Sequence, residues 1–461
     1  MLPPYSNTHN SHPRPHPRLS SSARFCTSAA SFCQDVRSPS EYEKGHIPGA
    51  HSLPLFTDKQ REKVGITYKS NGKEAAIRTG LKIVDESYAG LVAIVERVAG
   101  PPPADVYVYC WRGGMRSGSA STLLQELGYN THCLKGGYKA FRGWSHDIFL
   151  SRPLELVVLR GRTGTGKTDM LMELRANHGA QVLDLEGEAN HRGSNFGHLH
   201  TAEKQPTHEI YHNQLAILWA GFDQSKPVFV EDESSSVGNT HIPNELYQNK
   251  EAARLAILMT MDFDARIRRL LVDYGESAAE DLIKCVARLK KRLGPQETKR
   301  YIDAIENNDI GHAAAIVTRF YDTKYDKFKA RPAANEAGSF LETIHFTGDD
   351  VRPGAEEVLA LAAKLQAHAA ASPLLPAGAG PAAAAAAPGS AKQGGGDEGP
   401  SAGASSSSSS SRNTTGGGSS SRSGSGDESA ASKSWAEENR NVVIGSAVAV
   451  AIAAYLIWKK Q

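Results

Sequence analysis

The sequence has few cysteines and almost no net charge, and each shortage excludes a class of protein. Its 461 residues contain five cysteines and no Cys-x-x-Cys pair, which argues against a disulfide framework and against a cysteine-rich zinc site. Lysine and arginine number 52 against 50 aspartates and glutamates, for a formal net charge of +2. No overall field therefore draws the chain to nucleic acid or membrane, and any nucleic-acid surface must be local.

The start of the chain and a long stretch near its end lack the pattern of a folded domain. Residues 1–34 contain no aspartate or glutamate and carry Arg14, Arg18 and Arg24. This composition predicts either an organellar transit peptide, for a mitochondrion or chloroplast, or a disordered leader. Residues 372–433 are mainly alanine, glycine, proline and serine, and their charges cancel. They predict a disordered, low-complexity linker.

An apolar segment follows the linker. Residues 442–458 include no charged side chain and lie between Arg440 and Lys459–Lys460. Their length is at the short limit for crossing a bilayer and predicts a C-terminal transmembrane helix. An alanine-rich helix that docks on protein is the alternative. The sequence thus predicts a membrane-anchored protein and leaves open which face of the membrane, cytoplasmic or not, its catalytic domains occupy.

Two α/β domains are predicted between these ends. Short apolar runs at 106–109, 154–159, 181–184 and 227–230 alternate with helical patterns, which is typical of parallel strands joined by helices. Between Asp262 and Phe346 the apolar residues recur three and four positions apart and predict a helical subdomain. The predicted boundaries are 35–150 for the first α/β domain, 151–261 for the second and 262–371 for the helical subdomain.

A cysteine in the first domain stands between a predicted strand and a predicted helix. Cys110 is followed by the loop residues Arg112, Gly113, Gly114, Met115, Arg116 and Ser117. Backbone N–H groups converge in a glycine-rich loop at a helix start, and together with the helix dipole and two arginines they favour a thiolate. We therefore predict that Cys110 is a nucleophile in an anion cradle, which would also stabilise an adduct on its sulfur. An inert, buried cysteine is the alternative.

The segments around this cysteine resemble the rhodanese domain family. They are Asp35–Tyr42, Gly45–Ala50, Cys110–Ser117 and Leu134–Tyr138, in matching order and spacing. The resemblance implies a rhodanese-like α/β fold in which Cys110 carries sulfur or selenium. Residues 27–34 match the apolar first strand of that family poorly, so whether this strand forms is open.

A phosphate-binding loop opens the second domain, which is therefore predicted to be a P-loop domain. Residues 161–168 match G-x-x-x-x-G-K-[ST] between an apolar strand and a helical pattern, which is the context that this motif requires. Its glycines let backbone N–H groups surround a phosphate, while the lysine supplies a charge and the threonine suits Mg²⁺. The predicted phosphate-binding residues are Gly161, Gly164, Gly166, Lys167 and Thr168.

Polar residues also follow two other predicted strands of this domain. Glu231 and Asp232 follow the strand at 227–230, and His191 and Arg192 lie in a polar stretch after 181–184. Because ligands collect at such strand ends, these four are candidate substrate or metal contacts, with solvated loops as the alternative. No metal-ligand set is assigned. Lysines and arginines crowd residues 288–300, which suits a phosphate backbone or a solvated helix face equally.

The pairing of the two domains gives a second resemblance. A rhodanese-like domain followed directly by a phosphate loop, together with Asp184–Gly197, Val230–Ser234 and Arg288–Gly294, resembles the tRNA 2-selenouridine synthase family over residues 35–346. The resemblance implies a tRNA-modifying transferase acting on wobble-position 2-thiouridine. In that family a geranyl group is first added to sulfur from geranyl diphosphate, and selenium from selenophosphate then replaces the S-geranyl group.

This resemblance also implies partners for the protein and a ligand for the phosphate loop. The implied partner is tRNA, selenophosphate synthase is a candidate supplier, and the co-substrates are selenophosphate and geranyl diphosphate. A phosphate loop would hold the diphosphate leaving group as well as it holds ATP, so residues 161–168 are predicted to bind diphosphate. The alternative is a rhodanese-type sulfurtransferase fused to a nucleotide-binding ATPase or kinase domain.

Overall fold

The computed structural model of the chain describes residues 33–199, 201, 203–329 and 340–371. The leader up to residue 32, the linker 372–433 and the predicted transmembrane segment 442–458 lie outside these residues. Within the described ranges, no helix combines the length and the hydropathy needed to cross a bilayer.

The first domain is built on a parallel sheet of four strands in the order β2–β1–β3–β4. Its elements in chain order are β1 (Cys33–Asp35), α1 (Pro39–Lys44), β2 (His51–Ser52), α2 (Asp58–Ala99), β3 (Asp105–Tyr109), α3 (Met115–Glu126), β4 (Asn130–Cys133) and α4 (Gly137–Ser151). The first strand does form, with all three residues buried. The domain therefore includes Cys33 and Gln34, before the predicted start at residue 35, because Cys33 is buried in the same apolar cluster as Ile47 and Tyr109.

Side-chain alternation along β3 explains how this sheet is covered on both faces. Successive residues of a strand point to opposite faces, and Val106 and Val108 belong to a cluster with Leu91 and Val95 of α2. Tyr109 belongs instead to the cluster that contains Tyr138 and Phe141 of α4. The end of β3, where Cys110 follows, is thus fixed by packing on both sides.

The second domain has a parallel sheet of five strands in the order β11–β10–β5–β7–β6. The elements after α4 are β5 (Leu156–Arg160), α5 (Lys167–His178), β6 (Gln181–Leu183), α6 (Leu185–Glu188), α7 (His208–Gly221), β7 (Val228–Glu231), β8 (Ser236–Val237), β9 (Thr240–His241), α8 (Asn244–Glu251), β10 (Leu255–Met261), α9 (Phe263–Tyr274), α10 (Ala279–Leu293), α11 (Pro295–Glu306), α12 (Ile310–Lys329), β11 (Phe340–Phe346) and α13 (Ala355–Ala371). The prediction of two parallel α/β domains is confirmed.

The helical subdomain is shorter than predicted. Helices α9 to α12 form it, but Phe340–Phe346 is a strand that pairs with β10 along its whole length. Helix α13 then packs on the sheet through Val358, Ala362 and Leu365. The chain therefore returns to the second sheet within the predicted helical range 262–371. As an edge strand of seven residues, β11 is too short and too exposed to outweigh the helical periodicity on either side.

Helix α7 of the second domain packs along α4 of the first. Asn213 of α7 is fully buried there, and its Oδ1 accepts a hydrogen bond from Arg142 at 2.6 Å. Its Nδ2 donates to the carbonyl of His46 at 2.7 Å and to the hydroxyl of Tyr138 at 2.8 Å. The Tyr138 hydroxyl in turn donates to the Glu209 carboxylate at 2.8 Å. Because buried polar groups are costly to leave unpaired, this network holds the two helices in one register.

Candidate active sites

Cys110 lies between the end of β3 and the start of α3, with its side chain buried. Its Sγ is 3.3 Å from the hydroxyl of Ser117. Burial raises the pKa of the Cys110 thiol, but hydrogen bonds from the Ser117 hydroxyl and from the backbone amides of Ser117, Arg112 and Gly114 outweigh it, so the net pKa is lowered. The geometry of an anion cradle is present around the sulfur.

The start of α4 donates two backbone hydrogen bonds to the Cys110 loop. The amide of Tyr138 donates to the Cys110 carbonyl at 2.9 Å, and the amide of Lys139 donates to the Trp111 carbonyl at 2.9 Å. Gly137 has a φ of +59°, and a Cβ there would overlap the Cys110 carbonyl oxygen and the Gly113 amide. The cradle therefore depends on a residue without a side chain at Gly137.

The two arginines of the loop lie in different surroundings. Arg116 forms an ion pair with Glu41 of α1 at 2.7 Å, while Arg112 and Met115 are exposed. The hydrogen bond from the Ser117 hydroxyl is the largest cause that lowers the pKa of the Cys110 thiol. The pairing of Arg116 could not be predicted from sequence spacing, because Glu41 lies 75 positions before Arg116.

The phosphate loop connects β5 to α5 as predicted. Gly166 is the N-cap of α5 and has a left-handed conformation with a φ of 79°, so the helix begins at Lys167. The Nζ of Lys167 donates to the Gly161 carbonyl at 3.1 Å, and the hydroxyl of Thr168 donates to Glu186 at 3.2 Å. The loop thus leads directly into a helix N-terminus, where backbone N–H groups without intrahelical partners commonly bind phosphate.

Side chains of the helical subdomain form hydrogen bonds and ion pairs with the phosphate loop. Arg266 of α9 is buried, and its Nε donates to the Thr163 carbonyl at 2.8 Å. The same guanidinium forms two hydrogen bonds with Asp322 of α12, at 2.9 and 2.6 Å. Arg162 of the loop pairs with Asp326 of α12 at 2.8 Å. These partners are far apart in sequence, so no local pattern predicted them.

Buried carboxyl groups lie next to the loop. One oxygen of Glu231 accepts a hydrogen bond from the Glu186 amide at 2.8 Å, while its buried Oε2 has no partner within the ranges that the structure describes. Burial, followed by the neighbouring carboxylates, raises the pKa of Glu231 well above its ordinary value. Burial and the charge of Glu233, opposed by Lys167, raise the pKa of Glu186 to about 8. Glu186 and Glu233 were not predicted as site residues, although acids just after β6 and β7 were a usable signal.

The other predicted contacts are engaged elsewhere. Asp232 forms an ion pair with the buried Lys250 at 3.0 Å. His191 is buried, burial lowers its pKa, and its Nδ1 has no partner among the described residues, so a positive charge on this ring is disfavoured. Arg192 pairs with Asp273 at 2.8 Å. Within the part of the chain that the structure describes, no three acidic, histidine or cysteine side chains form a group able to hold a metal ion.

Comparison with known proteins identifies both domains. Residues 30–143 match the rhodanese-like domain, and residues 154–335 match the tRNA 2-selenouridine synthase AAA domain. A tRNA 2-selenouridine synthase of Shewanella woodyi is 32% identical over 329 residues, which are 63% of this chain and 86% of that protein. One of Pseudomonas syringae pv. syringae is 34% identical over 359 residues, which are 69% of this chain and 92% of that protein. One of Shewanella denitrificans is 34% identical over 325 residues, which are 63% of this chain and 86% of that protein.

Proposed function

The chain belongs to the tRNA 2-selenouridine synthase family, and from this premise we propose that it converts wobble-position 2-thiouridine of tRNA to 2-selenouridine through an S-geranylated intermediate. Geranyl diphosphate and selenophosphate are the co-substrates. The observation that carries the proposal is the presence of two anion sites in one chain, a thiolate cradle at Cys110 and a phosphate loop at 161–168. Each site suits one of the two steps.

The phosphate loop binds the diphosphate of geranyl diphosphate in the first step. Negative charge develops on the diphosphate as the carbon–oxygen bond to geranyl breaks, and fixed N–H donors with Lys167 stabilise that charge. The lysine is well placed, because its Nζ hydrogen-bonds the loop's own Gly161 carbonyl. Mg²⁺ fits beside it, since the Thr168 hydroxyl and the Glu186 carboxyl offer oxygen atoms and the diphosphate would supply more.

Cys110 acts in the second step as a nucleophile at C2 of the base. Selenium in selenophosphate is already at the selenide oxidation level, so passing it to a thiolate as a perselenide would require a two-electron oxidant. A route without one begins with the Cys110 thiolate attacking C2 and expelling geranylthiolate. The selenium of selenophosphate then displaces the Cys110 thiolate from C2, and water cleaves the selenium–phosphorus bond to give phosphate. The hydrogen bonds around Sγ stabilise this sulfur both as nucleophile and as leaving group.

Nucleoside mass spectrometry of tRNA from cells supplied with selenium tests the proposal. Cells expressing the protein should contain 2-selenouridine and cells lacking it should not. We expect Lys167→Ala to abolish geranylation, and Cys110→Ser to retain geranylation while abolishing selenium incorporation, with melting temperatures close to the wild type. Selenium incorporation by Cys110→Ser at the wild-type level would contradict the assigned role of the cysteine.

An unchanged nucleoside profile would instead favour a sulfurtransferase fused to an ATPase or kinase. The phosphate loop with its neighbouring carboxyl groups would also suit nucleotide hydrolysis. ATP turnover by the purified chain without tRNA, lost in Lys167→Ala, distinguishes this second function from the first.

We also propose a membrane-anchored location. The 17 uncharged residues of 442–458, flanked by basic residues, support an anchor, and the acid-free residues 1–34 support delivery to a mitochondrion or chloroplast. Alkaline carbonate should leave the full chain in the membrane fraction and release a chain truncated after residue 433. Extraction of the full chain would contradict the anchor. Selenophosphate synthase is the proposed supplier, which co-purification of the two proteins tests.

A further inference from the structure

The solvent face of α10 and the start of α11 carry a dense set of positive charges. Residues 284–300 contain seven lysines and arginines and a single acid, Glu297. All seven basic side chains are exposed. They are Lys284, Arg288, Lys290, Lys291, Arg292, Lys299 and Arg300. The apolar side of α10, from Leu282 to Leu289, is buried, so at 100° per residue Lys284, Arg288 and Lys291 form a row along the opposite side.

Most of these cations are unpaired within the described residues. Lys284 pairs with Asp281 at 2.8 Å and Arg300 pairs with Glu297 at 2.9 Å. Arg288, Lys290, Lys291, Arg292 and Lys299 have no ion-pair partner among the residues that the structure describes. A helix face that were merely solvated would gain from interspersed acids, because like charges one turn apart repel. The concentration of positive charge on this surface therefore favours an anionic partner.

Helix α10 is connected to the phosphate loop through side-chain packing and hydrogen bonds. Its buried side packs in one cluster with Phe196 and Leu199, which belong to the loop that follows α6. Helix α6 carries Glu186, which hydrogen-bonds Thr168 of the phosphate loop. The neighbouring α12 provides the aspartates that hold Arg266 and Arg162. A polyanion lying along α10 would thus bind the same helical subdomain whose side chains contact the phosphate loop.

We propose that Arg288, Lys291 and Arg292, with the adjacent Lys290 and Lys299, bind the phosphate backbone of tRNA. This inference rests on the proposed function, because that function supplies the partner. Contacts to phosphates position a nucleic acid without reading its sequence. This surface therefore sets affinity and register, and the choice of base is left to the sites at Cys110 and the phosphate loop.

The test is salt-dependent binding of unmodified tRNA to the full chain, measured by filter binding. The triple variant Arg288→Gln, Lys291→Gln, Arg292→Gln is compared with a matched control on α2, Lys59→Gln, Lys63→Gln, Lys69→Gln, where the lysines are also exposed. Each lost phosphate contact lowers the slope of log K against log salt by about 0.7 to 0.9. We expect the first variant to lose about 2 to 3 from the slope and at least about tenfold in affinity, and the control to match the wild type.

Three outcomes would overturn the surface assignment. They are wild-type binding by the α10 variant, an equal loss in the α2 control, and a loss confined to vesicles of phosphatidylserine and phosphatidylcholine while tRNA binding is unchanged. Geranyl diphosphate binding, measured without tRNA, should be unaffected in both variants and reports on folding. Failure of the proposed function gives a different result, because the wild type would then make no 2-selenouridine whatever the binding data show.

Discussion

Gly137→Ala is the sharpest test of the cradle at Cys110. Gly137 adopts a φ of +59°, and a methyl group there would overlap backbone atoms of Cys110 and Gly113. The left-handed conformation alone costs an alanine about 1 to 2 kcal/mol. The overlap adds to this cost, because the neighbours are main-chain atoms that cannot rotate away. We expect the Cys110 loop to move by roughly 1 Å, a displacement that can cost about 100-fold in rate at a reacting centre.

Two measurements follow from this substitution. The rate of Cys110 alkylation by iodoacetamide against pH reports the thiol pKa, which should rise when the loop amides no longer point at the sulfur. Selenium incorporation should fall by about 100-fold, while geranyl diphosphate binding in the other domain is retained. The matched control is Gly143→Ala on the same helix, where, among the described residues and apart from the local helix backbone, no atom lies within 4 Å of the added methyl group and alanine favours the helix by about 1 kcal/mol. A wild-type alkylation profile in Gly137→Ala would refute the reasoning.

Three further predictions concern the second domain and the junction. Arg266→Met removes the hydrogen bonds to the Thr163 carbonyl and to Asp322, whose other cation, Arg162, lies 3.9 Å away, so the free energy of unfolding in denaturant should fall by about 1 to 3 kcal/mol; no change would contradict the structural role of Arg266. The pKa of Glu186 is about 8 in the fold, above that of the unfolded chain, so its stabilisation is complete at low pH and is lost as pH rises through about 8. Glu186→Gln should flatten the decline of melting temperature from about pH 5 to pH 8, and a parallel decline would count against it. Asn213→Leu strands buried polar partners and should cost about 1 to 3 kcal/mol for each, visible as a lower melting temperature; an unchanged melting temperature would contradict this.

Strands β3, β5, β6 and β7, the turn at Cys110 and the phosphate-loop motif were predictable because their signals are local. The phosphate loop occupies eight consecutive residues between a strand and a helix, and Cys110 sits with its glycines in one turn. What escaped prediction depends on residues that meet only in the folded chain. Arg116 pairs with Glu41, and Glu186 meets Glu233 across two strand ends. The residues of β11 were predicted to belong to the helical subdomain, because their pairing with β10 depends on the tertiary fold and leaves no local sequence signal.

Two of the predicted contacts have ion-pair partners in the fold. Asp232 and Arg192 have the residue types of ligand contacts, and their spacing after a strand is suitable. Each is instead engaged in an ion pair, with Lys250 and Asp273 respectively. Residue type and position indicate where a ligand would bind, but the competition between a ligand and a neighbouring side chain is decided by the packing around both.

Helix α7 has a consequence for how this protein can evolve. On one side it supplies Asn213 and Glu209 to Tyr138, whose amide supports the Cys110 loop; on the other its Tyr211 hydroxyl donates to the Leu185 carbonyl at 3.0 Å, next to Glu186. A rhodanese-like domain taken from another protein would lack the side chains that form hydrogen bonds with α7. We therefore expect recombination at the short connection between the two domains to disrupt this network unless α4 and α7 are exchanged together.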